Sequence, residues 1–230
     1  LNTTLHAHHP HIELLEDRSL LSVTPLGSEY LINSYVTNDQ TAPVIGSHPS
    51  SQQVVVAWVS TGQDGSGDGI YAQRYDLAGN KVGSEFRVNQ TTSGAQTNPA
   101  IAMDALGSFV VAWQASDGQG DGVFYRRFGF DGVALANEAR VNSSTSGVQQ
   151  SPSVAMTDDG RFVIAFQSTD RDLGGNAIMA RRYSATGSAQ GNDFLVNATN
   201  STDQLAPSVG MDSTGQFVIA WQSANQDGSG

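Results

Sequence analysis

Three loops in this chain hold carboxylates and glycine at a spacing that could bind a hard cation. Counting back from Ile70, Val123 and Ile178, the residue six before is Asp64, Asp117 and Asp172, and the residue two before is Asp68, Asp121 and Asn176. Gly67, Gly120 and Gly175 stand between them, and a further copy begins at Asp227. Calcium takes about 6 to 8 oxygens from carboxylates, amides and carbonyls, and glycine lets backbone oxygens bend towards the ion. The spacing therefore predicts calcium as a cofactor of these loops. Aspartate and glycine are also what any sharp strand connection uses with no ion present, so both readings stand.

Other residue sets offer other chemistry. Arg74, Arg127 and Arg182 recur once per repeat, with Arg126 and Arg181 beside two of them. Such a set could bind a carboxylate; equally, the stems pack between repeats with the heads paired to acids such as Asp193 or Glu138. Glycoside hydrolysis needs two carboxylates about 5 to 10 Å apart. Glu29, Glu85 and Glu138 are repeat equivalents and read as strand-start residues, while Glu13 and Glu16 fall in the amino-terminal segment. His6, His8, His9 and His11 could hold zinc or copper, or form a terminal tail with no scaffold to fix their geometry. His48 is the one other histidine. Trp58, Trp113 and Trp221 could stack sugars, but their register, shared with Phe166 at the end of an apolar run, favours core packing. Sequons occur at Asn2, Asn89, Asn142, Asn197 and Asn200. Asn89, Asn142 and Asn197 read as caps between units, and no residue is assigned to catalysis.

What must position these residues is a unit that recurs. EYLIN (29–33), EFRVN (85–89), EARVN (138–142) and DFLVN (193–197) align without gaps. Seven residues after each asparagine comes Gln40, Gln96, Gln149 or Gln204, then Pro43, Pro99, Pro152 or Pro207. The period is 53 to 56 residues. Each unit has four short extended segments. The second is a solid apolar run, such as VVVAW (54–58) or FVVAW (109–113), too short for a helix and rich in β-branched residues, so it predicts a strand covered on both faces.

Four-stranded antiparallel units with two apolar faces must stack on copies of themselves. The predicted fold class is thus all-β, a β-propeller or propeller-like array. An amino-terminal leader spans 1–26 and a β-repeat domain spans 27–230, with a leading strand over 27–33. Complete repeats follow over 34–89, 90–142 and 143–197, and a truncated one over 198–230. The chain reads as a fragment of a longer protein.

Composition narrows the partners. One lysine and ten arginines stand against 22 acids, a net charge of −11, so no basic stripe is available for nucleic acid. Apolar runs reach about five residues, far short of the roughly 20 that span a bilayer. The absence of cysteine removes disulfides and thiolate sites.

Residues 12–23, IELLEDRSLLSV, resemble the Leu-Glu-Pro-Arg-x-Leu-Leu motif that heads exported or surface proteins of planctomycete bacteria, with Asp17 in place of the usual proline. The repeats over 27–230 resemble those of large bacterial surface or secreted proteins of the P-x-V-A-M-D-x-x-G-x-F-V-V-A-W-Q type. The resemblance implies an extracellular or cell-surface location and a non-catalytic scaffold for binding or adhesion; it names no ligand, and the partner is an unknown surface carbohydrate or protein. The alternative is a propeller carbohydrate-active enzyme of sialidase-like type whose active site lies outside this stretch.

Overall fold

The computed structural model describes residues 29–169, 171, 175–198 and 202–224. The chain divides into Leu1–Leu31, of which 29–31 are described, and Ile32–Gly230, which holds all the described strands.

Four antiparallel sheets follow one another along the chain. The first comprises β1 (Gln40–Ser47), β2 (Gln53–Thr61), β3 (Asp68–Asp76) and β4 (Lys81–Arg87), bonded in chain order. The second comprises β5 (Gln96–Met103), β6 (Phe109–Ser116), β7 (Asp121–Phe128) and β8 (Ala139–Arg140). The third comprises β9 (Gln149–Met156), β10 (Phe162–Ser168), β11 (Ala177–Tyr183) and β12 (Phe194–Leu195). In the fourth, β13 (Gln204–Met211) pairs with β14 (Phe217–Ser223). This is the repeated four-stranded architecture that the sequence predicts. Residues 29–33 carry no strand. A fourth strand forms by pairing with the third of its own sheet, as Val88 N–H does with the Ile70 carbonyl at 2.8 Å.

The solid apolar runs explain why the sheets stack. Successive side chains on a strand point to opposite faces, so Val55, Ala57 and Val59 share a core with Phe109, Val111 and Trp113 of the second sheet. The other face of that sheet, through Val110 and Ala112, packs against Phe162, Ile164 and Phe166 of the third. Val163 and Ala165 then meet Phe217 and Ile219. The second and third sheets are therefore blades with a seam on either side. Within the seams, the rings of Phe109 and Phe128 stack at 5.1 Å, and those of Phe162 and Tyr183 at 4.5 Å. Val218, on the face of β14 turned away from the third blade, is 74% exposed.

A polar staple repeats beside each apolar seam. Asn89 Oδ1 accepts from Ile70 N at 2.8 Å, and its Nδ2 donates to Gln96 Oε1 of the next blade at 2.9 Å. Asn142 repeats this with Val123 N at 2.9 Å and Gln149 at 2.8 Å, and Asn197 accepts from Ile178 N at 2.8 Å. One amide side chain thus satisfies buried groups of two blades at once. All three asparagines are buried, so these sequons serve as caps between units.

Candidate functional site

Two of the aspartates read as loop ligands are strand residues. Asp68 opens β3 and accepts from the Thr61 hydroxyl at 2.6 Å, and Asp121 opens β7 and accepts from Gln114 Nε2 at 2.8 Å. Asp64 and Asp117 do lie in the connecting loops, where each takes a backbone N–H two residues on, from Ser66 and Gln119. Asp117 also lies 3.8 Å from the Arg140 guanidinium and 3.3 Å from Asn142 Nδ2. Asn176 donates to Asp203 through its backbone and side-chain nitrogens, at 2.9 and 2.8 Å. Asp172 and Asp227 lie outside the described residues, as do residues 12–23 and the four clustered histidines. Among the described residues no three acidic or imidazole groups converge as a metal-binding set. A second carboxylate oxygen of Asp64 is buried without a donor.

Arg74, Arg126, Arg127 and Arg181 pack between blades with their heads bound by carbonyls, whereas Arg182 is exposed. Arg74 donates to the Phe130 carbonyl at 2.9 Å, and Arg127 donates to that of Ala185, in each case on a turn of the next blade. Arg126 and Arg181 donate to the carbonyls of Val88 and Val141 at 3.0 and 2.8 Å. The expected pairing with Asp193 or Glu138 is corrected accordingly. Gly132 and Gly187, both with positive φ, leave the room: a Cβ there would stand 2.8 Å from Arg74 Nε or Arg127 Cδ. Glu85 and Glu138 hold the connectors that lead into their own blades. Glu85 accepts from Ser34 N and Glu138 from Gln90 N, each at 2.6 Å.

A feature that the sequence reading missed lies between the four inner strands. β1, β5, β9 and β13 line one cleft of about 410 Å³ through Pro43, Pro99, Pro152 and Pro207 and the residues before them. Those preceding residues are left-handed: Ala42 (φ 48°), Asn98 (50°), Ser151 (53°) and Ala206 (50°). Each sits at a slip in strand register. An L-residue in this conformation costs about 1–2 kcal/mol, and a residue before proline is normally extended. The recurring proline was the available signal. The residue before it varies, and none of the four is glycine, so the bulge is invisible in the string.

At this ring the repeat is broken by unlike side chains. Asn98 Nδ2 donates to Gln114 Oε1 at 2.8 Å, and Gln114 is in turn held by Asp121. Asp121 therefore positions an amide at the cleft. One residue ahead of the inner-strand glutamines, blades one and four carry Asp39 and Asp203 where blades two and three carry Ala95 and Val148. Hydrogen bonds from the Asn176 backbone and side chain hold the Asp203 carboxyl below its ordinary range.

Comparison with known proteins places this architecture. No protein-family model matches the sequence, and no curated protein matches it. Solved structures do. An endo-arabinase from Bacteroides thetaiotaomicron VPI-5482 superposes with a TM-score of 0.53 at 15% identity, over 82% of this chain and 72% of its own. A thermostable family-43 glycoside hydrolase gives 0.52 at 10% identity, over 86% and 70%. The Hadza microbial sialidase Hz136 gives 0.53 at 12% identity, over 78% and 43%. At these identities the likeness is one of fold. It corrects the expectation of a non-catalytic adhesion scaffold that is no enzyme. That expectation came from the resemblance to bacterial surface repeats, and blades of this architecture also build glycosidases and sialidases.

Proposed function

We propose that this chain belongs to a carbohydrate-active β-propeller enzyme of glycosidase type that works outside the cell. The observation that carries this reading is the axial cleft, where four inner strands converge and the repeat gives way to unlike residues. Prolines offer an apolar floor for the C–H face of a sugar, while Asn98 and Ser151 offer hydrogen bonds to hydroxyls. Cleavage of a glycosidic bond calls on two carboxylates, and we assign Asp39 and Asp203 to that work because they break the repeat three residues ahead of the cleft-lining Ala42 and Ala206. Asp203, whose carboxyl Asn176 holds below its ordinary range, suits the base or nucleophile, with Asp39 as the second carboxylate. The export-type motif over 12–23 supports the extracellular setting.

The test is turnover of 4-nitrophenyl α-L-arabinofuranoside, 4-nitrophenyl β-D-xylopyranoside and a methylumbelliferyl sialoside. One of the three should be cleaved, with kcat/KM falling at least about 100-fold in Asp39→Asn and in Asp203→Asn. Ser151→Trp should block the cleft. Turnover indifferent to all three substitutions, or none with any substrate, would reject the reading.

A further inference from the structure

Each inner strand begins with a glutamine whose amide is locked. Its nitrogen donates to backbone carbonyls just upstream: Thr37 and Asn38 for Gln40, Ser93 for Gln96, Ser146 for Gln149 and Thr202 for Gln204. The amide oxygen is thereby turned into the blade, where it needs a donor. Gln96 and Gln149 receive one from Asn89 and Asn142, and Gln204 receives one from Trp221 Nε1 at 2.8 Å. Blade one breaks this rule. Gln40 Oε1 is buried with no donor, and Trp58 Nε1, the counterpart of the Trp221 nitrogen, is buried with no acceptor. Asn33, which stands where Asn89 and Asn142 stand in the other repeats, donates to the Tyr35 carbonyl at 2.6 Å.

Gln40 and Trp58 both line one cavity of about 110 Å³, with Ile32, Pro43 and Val56 among its walls. Trp58 is 4% exposed, so its indole N–H is a buried donor committed to this space. A single water takes up about 30 Å³ of liquid, so the cavity has room for a larger group. That group must accept from the N–H and donate to the amide oxygen. A hydroxyl does both, whereas a carboxylate cannot donate and an ammonium cannot accept. Pro43 lines this cavity and also the axial cleft, so one chain of sugars could reach from one to the other.

We propose that the Gln40–Trp58 cavity is a glycan subsite that takes a sugar hydroxyl through Trp58 Nε1 and Gln40 Oε1. This inference rests on the carbohydrate reading above and names a second place where that ligand is held.

The test follows the indole N–H resonances of ¹⁵N-labelled protein, with Trp58 assigned by Trp58→Phe, during titration with D-xylose or L-arabinose. Trp58 should shift saturably while Trp113 and Trp221 stay still. Gln40→Met, which removes the acceptor, should weaken binding about tenfold. 1,4-Dioxane, which accepts but cannot donate, should not saturate the site. A silent Trp58, equal binding in Gln40→Met, or a response to acetamide but to neither pentose would overturn the proposal. Glycoside turnover with a silent Trp58 would sink the subsite alone, and a responding Trp58 without turnover would sink the enzymatic reading alone.

Discussion

His48 Nε2 lies 3.1 Å from Asp158 Oδ1, a contact between turns of the first and third blades across 110 residues of sequence. Ser50 N–H donates to His48 Nδ1 at 3.1 Å, so Nδ1 is the acceptor and Nε2 carries the proton given to Asp158. The apolar seams join neighbouring blades, whereas this contact skips one and ties the ring across its axis. With Asp158 largely in water, a double-mutant cycle of His48→Ala and Asp158→Ala in urea should give a coupling of about 0.5–1 kcal/mol. Zero coupling would mean that the two turns are held by other contacts.

The asparagine staple should matter more, because it is buried. Asn142→Ala leaves Val123 N–H and Gln149 Oε1 without partners, at about 1–3 kcal/mol for each group stranded. Urea unfolding measures the loss. Mass spectrometry of protein secreted from a glycosylating host should find Asn142 unmodified, and occupancy there would contradict its burial.

The left-handed residues before proline offer the opposite sign. Ala206 is strained at φ 50°, and glycine accepts that conformation freely. Ala206→Gly should therefore stabilise by about 0.5–1 kcal/mol after the entropy of the unfolded glycine is subtracted. A lower urea midpoint for this variant would show that the Ala206 methyl contributes more than its strain.

Acid should weaken the fold in a defined window. The Thr157 hydroxyl and the Arg161 guanidinium hold the Asp159 carboxyl down to about 2, and Asn80 and Thr214 lower Asp76 and Asp212. A carboxyl depressed in the folded state contributes fully above its unfolded pKa of about 4, and that contribution is lost as pH falls through the folded value. The melting temperature should thus hold from about pH 7 to 5 and fall between about 4 and 2. Asp159→Asn should make that fall shallower, and an unchanged slope would assign it to other carboxylates.

Cation binding has an equally direct check. With Asp68, Asp121 and Asn176 already engaged by protein groups, calcium and magnesium at equal concentration should shift the melting temperature equally. A calcium-specific rise that Asp64→Ala removes would mark the loops as ligand sites.

The four-stranded unit was legible because its signals are local: an apolar run of fixed length, a proline and an asparagine at fixed spacing. The blade-to-blade stacking followed from the two apolar faces of VVVAW and its copies. Side-chain destinations were legible only in part. Asn89 and Asn142 read as caps from their place in the repeat, yet their glutamine partners did not, since a spacing of seven residues names no hydrogen bond. Arg74 was assigned to an acid because charge suggests charge, while the partner is a backbone carbonyl that no letter of the sequence encodes. The axial cleft escaped for a similar reason. Ala42, Asn98, Ser151 and Ala206 share a backbone conformation that their side chains do not announce, and Asp39 and Asp203 stand out only after the inner strands are seen side by side.

The forward reach of Arg74 and Arg127 gives their two seams a direction in time, whereas Arg126 and Arg181 reach back to carbonyls already made. Arg74 needs a carbonyl 56 residues further on, and Arg127 one that is 58 further on. During synthesis, a blade leaving the ribosome therefore carries a guanidinium whose acceptor has not yet been made, and its seam stays open until the following repeat emerges. For Arg74 and Arg127, each newly made turn supplies the carbonyl that locks the blade before it.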